Sequence, residues 1–204
     1  MPEQNDRTVF EYSHGARLVS VLSAYLMWSL LIVALAGAIT LLVNGHQLPA
    51  ILACLIGLLI APYCFSLQQK VRLKRDWRIS LRRGHATLFL PAHRASHYRA
   101  PEFEGEVNFR EIEAIVRRRE SYARIGPQAQ TMPYWLILKD GSKLLLGEDR
   151  NPGDGTGPGA SLTARAAEAI SVASGIKITR FDPAEGSTLF GLFVMRPPSW
   201  PMDA

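Results

Sequence analysis

The stretch LVSVLSAYLMWSLLIVALAGAITLLVNGHQLPAILACLIGLLIAPYCFSL, residues 18–67, decides how this chain of 204 residues is read. It holds no Asp, Glu, Lys or Arg, and none follows it until Lys70. Only Asn44-Gly45-His46-Gln47 interrupts it, leaving apolar runs of 26 residues (18–43) and 20 residues (48–67). At a helical rise of about 1.5 Å per residue these extend roughly 39 Å and 30 Å, and a bilayer core is roughly 30 Å thick. A secretory signal has an apolar core of only about 7–15 residues, so the first run is too long for one, and a second span follows at once. The short link leaves room only for antiparallel neighbours, and Pro49 stands in the first helical turn, where a missing N–H is tolerated. The reading is a transmembrane helical hairpin over residues 17–69, preceded by a short N-terminal segment, 1–16.

The next segment, QQKVRLKRDWRISLRR (68–83), carries Lys70, Arg72, Lys74, Arg75, Arg78, Arg82 and Arg83 against Asp76 alone. Seven positive charges against one negative give +6 where the whole chain is +5, so basicity is a local feature and the remainder sums to about −1. Short flanks rich in Lys and Arg stay cytoplasmic, and the uncharged loop at 44–47 belongs on the opposite side. With Arg7 and Arg17 on the other flank, both termini are expected in the cytoplasm. At about 1 kcal/mol per basic residue near an anionic leaflet, the cluster would also hold the following domain to the membrane surface. A basic face with base-reading or stacking groups is missing, so no nucleic-acid partner is expected.

Inside the hairpin, Gly57 and Ala61 form a small-xxx-small pair, as do Ala34 and Ala38, which allows close helix approach. Two uses fit equally: joining the two helices to each other, or receiving helices of a partner or a second copy. Pro62 should kink the second helix one turn before its end. No ionisable residue marks a proton or ion path through either span. Cys54 and Cys64 are ten residues apart on one helix, about 15 Å along its axis, and so cannot bridge each other.

The 121 residues from Gly84 onward suffice for one compact domain. Their texture is alternating, with strand candidates at 77–81, 86–90, 104–109, 112–123, 134–139 and 142–147. Asp140-Gly141 predicts a two-residue type I′ hairpin turn, with both residues at positive φ. Ser161 is a candidate N-cap and Gly175 a candidate C-terminal stop for a helix whose apolar stripe is Leu162, Ala166, Ala169, Ile170 and Ala173. Gly155-x-Gly157-x-x-Ala160 before this helix imitates a dinucleotide fingerprint, but the preceding strand sits in an antiparallel hairpin and lies too far from the glycines. The stretch reads as a Gly/Pro linker, and no cofactor is expected. The domain is placed at 70–182, with a tail from 183 to 204.

The stretches Val107-Asn108-Phe109-Arg110-Glu111-Ile112-Glu113-Ala114-Ile115-Val116-Arg117-Arg118-Arg119 and Tyr134-Trp135-Leu136-Ile137-Leu138-Lys139-Asp140-Gly141-Ser142-Lys143-Leu144-Leu145-Leu146-Gly147, with the Ala-rich helix running into Gly175-Ile176-Lys177-Ile178, resemble the bacterial membrane-anchored pleckstrin-homology-like domains. The resemblance covers roughly residues 77–180 and lies in pattern. It implies an α+β chain in which the membrane hairpin precedes a bent antiparallel sheet or partial barrel capped by one C-terminal helix. It also implies a role in interaction, scaffolding or assembly of complexes in a bacterial inner membrane, rather than catalysis. The long Gly-rich insertion and the tail depart from that pattern.

Candidates for chemistry are few. His93 and His97 read as exposed loop histidines and not as a metal pair, because strand and loop spacing separates them by about 13 Å. Nucleophile-elbow, phosphate-loop, zinc-protease and paired-cysteine motifs are absent from the sequence. Arg117, Arg118, Arg119 and Arg124 form a second basic cluster, either a solvated strand or a contact for a headgroup or acidic partner. Three functions follow: a membrane-anchored interaction module with a protein partner or a second copy, an anionic-lipid headgroup binder, or an enzyme whose site is not legible. The apolar run 189–195 is expected to pack on the domain as an added edge strand, stopped by Pro197 and Pro198.

Overall fold

The structure, a computed structural model, describes residues 7–95, 100–122, 129–150, 160–189, 193–196 and 198. Two compact units emerge: Tyr12–Arg75, and Met1–Glu11 together with Asp76–Ala204.

The first unit is the hairpin of α1 (His14–Val43) and α2 (Gln47–Asp76). Ser13 caps α1 by accepting from the Ala16 N–H at 3.2 Å, and Gly45 turns the chain with φ +81°. Buried positions recur every seven residues, at Ala24, Leu31 and Ala38 on α1 and at Ala50, Gly57 and Cys64 on α2. That period is the seam of a left-handed helix pair, here lined mostly by small side chains. A Cβ on Gly57 would lie 3.4 Å from Leu35 Cδ2 and 3.6 Å from Leu31 Cδ1. The Gly57 face is therefore spent within the hairpin, and Ala61, half-buried one turn on, follows it. Trp28 and Phe65 meet edge to face at 5.7 Å, and the Lys74 ammonium reaches the Ala16 carbonyl at 3.4 Å. Only 11% and 17% of the most apolar windows of the two helices are buried, unlike the core helices of a soluble protein. Both are long and apolar enough to cross a membrane. Pro62 does not end α2, which continues to Asp76.

The second unit is α+β. Strands β1 (Thr8–Glu11), β2 (Arg78–Arg82), β3 (His85–Leu90) and β4 (Phe103–Asn108) form an antiparallel sheet in that order. A 3₁₀ turn (Phe109–Glu111) leads to β5 (Ile112–Tyr122), β6 (Ala129–Leu138), β7 (Lys143–Arg150), helix α3 (Leu162–Ser174), β8 (Ile178–Leu189) and β9 (Phe193–Arg196). These strands make a second sheet of order β7-β6-β5-β8-β9. Alternation on β3 buries Ala86, Leu88 and Leu90 and leaves His85, Thr87 and Phe89 half-exposed, the period-two signature of a one-faced sheet.

Several expectations change. The sheet is not one bent antiparallel layer: there are two sheets, β8 joins β5 in parallel, and no pairing among the described strands closes them into a barrel. Within the N-terminal segment a strand forms that the sequence reading did not include, Thr8–Glu11, which pairs with β2 as Thr8↔Leu81 through Glu11↔Arg78. The edge strand expected from the apolar run 189–195 is found as β9, which pairs with β8 and completes the sheet at that edge, while β8 itself runs past residue 182. Pro183 falls where the β5–β8 register shifts between Arg118 and Glu120, a position that needs no ladder N–H. The Asp140-Gly141 turn is a three-residue loop. The Gly141 N–H donates to Leu138 O and the Leu138 N–H to Ser142 O, both at 2.9 Å, and Gly141 is left-handed with φ +82°. The Asp140 carboxylate accepts from the Ser142 N–H at 2.8 Å.

The sheets are tied at β7, an edge strand. The Trp77 indole donates to Leu146 O at 2.8 Å, and the Arg94 Nε donates to the neighbouring Leu145 O. The rest of the Arg94 guanidinium spans carbonyls of Leu90, Pro91 and Pro101 at 3.3, 2.9 and 2.6 Å. Trp77 is 1% and Arg94 3% exposed. Burial lowers the Arg94 pKa to about 10, which still leaves it charged at neutral pH. Replacing Arg94 by Met should lower stability by about 2–4 kcal/mol, because buried carbonyls lose their donors; Trp77→Phe should lower it by about 1–3 kcal/mol. Near-ultraviolet circular dichroism melts of the full chain in detergent read both, and unchanged melting would show that the β7 edge does not hold the sheets together.

Candidate functional site

The opening of the second unit lies between α3 and the end of the first sheet. Ser161 sets the start of the helix by accepting from the Ala164 N–H at 3.0 Å, and Gly175, at φ +75°, stops it. On the inner side Ala166, Ala167 and Ile170 are fully buried. Gly147 lets the helix close on β7, since a Cβ there would stand 3.0 Å from Thr163 Oγ1. The stripe expected from Leu162, Ala166, Ala169, Ile170 and Ala173 is thus rotated: Ala169 is half-buried and Ala173 exposed, and both face the opening.

That opening is a groove of about 810 Å³ with Leu81, Phe109, Ala169 and Val172 along its apolar surface. Arg82 ends β2, Arg83 follows it in the β2–β3 turn, and Arg165 and Glu168 come from α3. A second basin of about 490 Å³ adjoins it, sharing Arg83, Gly84, Phe109 and Ala173 and adding His85 and Arg110. The turn is held by Gly84, with φ +82°, whose carbonyl accepts from the Phe109 N–H at 2.9 Å. Asn108 and Glu111 form a capping box that fixes the 3₁₀ turn bearing Phe109 and Arg110.

The basic residues singled out in the sequence part company here. Lys70, Arg72, Lys74 and Arg75 ride on the last turns of α2 in the helical unit. Arg78 lies on the half-exposed face of β2, 3.9 Å from the Glu11 carboxylate. Arg82 and Arg83 line the groove instead of extending that cluster. The second cluster divides by strand parity. Arg118 turns inward, 3% exposed, with its guanidinium 2.7 Å from Glu120 Oε1. Glu120 Oε2 accepts from the Tyr122 hydroxyl at 2.7 Å. The expectation that Arg118 joins a surface contact is corrected, because a buried ion pair has consumed it. Arg117 and Arg119 point to the opposite, half-buried face, and Arg117 hydrogen-bonds Tyr134. Arg124 and His97 lie outside the described residues, as do Gly155 and Gly157, while His93 is exposed in the turn after β3.

Beside the helix start, Asp149 is 8% exposed. Burial raises its pKa from 3.8 to about 6, opposed by a hydrogen bond from the Ser161 side chain and reinforced by Glu148. Burial, then Asp149, also raises the Tyr134 pKa. No group of three or more His, Cys, Asp or Glu among the described residues could hold a metal ion. No family model, no curated protein and no solved structure matches the chain. Sequence reading missed Phe109, Arg110, Arg165, Glu168 and Val172 as groove residues. The available signal was that alanines occupy two faces of α3, more than one buried stripe needs.

A carboxyl whose folded pKa is raised binds its proton more tightly when folded, so stability is highest at low pH on its account and falls as pH rises from about 4 to about 6. Asp149→Asn should remove that slope and stabilise the chain by on the order of 1–3 kcal/mol at pH 7.5, the amide keeping an acceptor for Ser161. Parallel melting profiles of the two proteins from pH 4 to 8 would refute it.

Proposed function

We propose that this chain is a membrane-anchored, non-catalytic interaction module, an accessory or assembly component of a protein complex in a bacterial inner membrane. The observation that carries the reading is the way anchor and domain share one chain path. The chain leaves the first sheet at Glu11, passes through two helices with exposed apolar surfaces, and re-enters it at Arg78, the residue paired with Glu11. Tyr12 and Ser13 on one side and Trp77 on the other are all that separate strand from helix. An open basic and apolar groove on such a domain suits capture of a partner; its lining offers contacts and charge, with no nucleophile held by a base among the described residues.

A second reading, an anionic-lipid headgroup binder, is favoured by the exposed Lys70, Arg72 and Arg75 directly after the apolar span. Both readings put the two termini in the cytoplasm and the Gly45 turn across the membrane, an orientation that the basic flank supports. A reporter active only in the cytoplasm should work at either terminus and fail when inserted at Gly45; a C-terminus on the far side overturns the topology. Mass spectrometry of the full chain purified in mild detergent should find stoichiometric protein partners. Recovery with anionic lipid alone would replace the first reading with the second.

A further inference from the structure

We propose that the groove between α3 and the β2–β3 turn takes an extended segment of a protein partner in which acidic residues are interspersed with large apolar ones. The inference rests on the reading of the domain as an interaction module and names the place and chemistry of the contact.

Shape, surface and charge agree on the occupant. The two basins, about 810 and 490 Å³, share Arg83, Gly84, Phe109 and Ala173 and so adjoin, giving room for a segment longer than a single residue. Their apolar surface includes Val172, which is 80% exposed and so open to an apolar side chain of a partner. Arg82 and Arg165 stand on opposite walls, one on β2 and one on α3, with Arg83 and Arg110 along the turn side. Arg82, Arg110 and Arg165 alone set three positive charges against one lining carboxylate among the described residues, Glu168, which favours acidic ligands. Guanidinium forks on two walls match carboxylates spaced along a chain.

A compact phosphate or headgroup fits less well. The second basin runs along Ala173 and Ser174, the last residues of α3, where the helix dipole presents its negative end. Glu168 stands in the larger basin, where it can accept from a peptide N–H, a donor that an ionised phosphate does not offer. An acidic and apolar peptide uses both the arginines and the uncovered Val172, whereas a phosphate uses only the arginines.

The test uses the full chain in detergent micelles. Heptapeptides are selected from a random phage-displayed library, and the winners, made with a fluorescent label, are measured by anisotropy against the parent, Arg82→Glu/Arg165→Glu and Val172→Asp. All three positions are exposed, and circular dichroism melts check that the variants stay folded. The expected result is a consensus of Asp or Glu with Leu, Ile or Phe, weakened about tenfold by the double charge reversal and by Val172→Asp, and weakened by salt. Selection without acidic enrichment, or acidic peptides that bind all variants alike, overturns the proposal. Displacement of the peptide by glycerol phosphate more readily than by glutamate would reassign the groove to a headgroup and also overturn it. Loss of the groove result with copurifying partners retained refutes this site alone and leaves the broader reading standing; loss of those partners refutes that reading independently.

Discussion

The two sheets of the domain share no described strand pairing, and what joins them is the closed edge of β7. An edge strand offers outward carbonyls that must be met by solvent or by donors. Here Trp77 and Arg94 meet two consecutive ones, on Leu146 and Leu145. Consecutive carbonyls can serve one edge because the β6–β7 register shifts between Tyr134 and Trp135. Arg94 is a cation held by main-chain dipoles, its guanidinium hydrogens spread over carbonyls from the end of β3, the following loop and β7. Removing such a donor would strand several acceptors at once, so the site tolerates little change. The placement of α3 on β7, and with it one wall of the groove, follows from this join.

Arginine shows how one residue type takes unlike roles through local geometry. Arg94 is buried on carbonyls, Arg118 on a carboxylate, Arg78 rests across from Glu11, and Arg82 and Arg165 face an opening. Strand parity separates Arg118 from its neighbours, because successive residues point to opposite faces. Charge density along the sequence cannot carry that distinction, since Arg117, Arg118 and Arg119 are identical letters whose environments are set by β6, β8 and α3.

What was legible in the sequence were features whose cause is local. The uncharged runs, the Ser161 cap, the Gly175 stop and the Asp140-Gly141 reversal each depend on residues within a turn or two. The reversal still differed in detail, three residues against two, because Asp140 uses its carboxylate on Ser142 in place of a left-handed backbone. What was not legible depends on distant partners. Thr-Val-Phe-Glu at 8–11 is too short to announce a strand and becomes one only beside β2. Residues 178–189 contain Pro183 and Gly186, which argue locally against a strand, yet β5 recruits them in parallel across an irregular register. The groove is assembled from β1, the β2–β3 turn, the 3₁₀ segment and α3, so no single motif could reveal it.

The order of the chain also sets the order in which the protein can be completed. Strand β1 is made before both apolar helices, and its partner β2 after them, with Thr8 and Leu81 meeting across that whole insertion. At about 5–20 residues per second of synthesis, β1 waits several seconds with its backbone unpaired. Its pairing then requires the two helices to have returned the chain to the same place, which only an antiparallel hairpin does. Without that return, Thr8 would lack Leu81 and the first sheet would be one strand short. Pairing of β1 with β2 is in this sense the step that joins the two ends of the helical insertion.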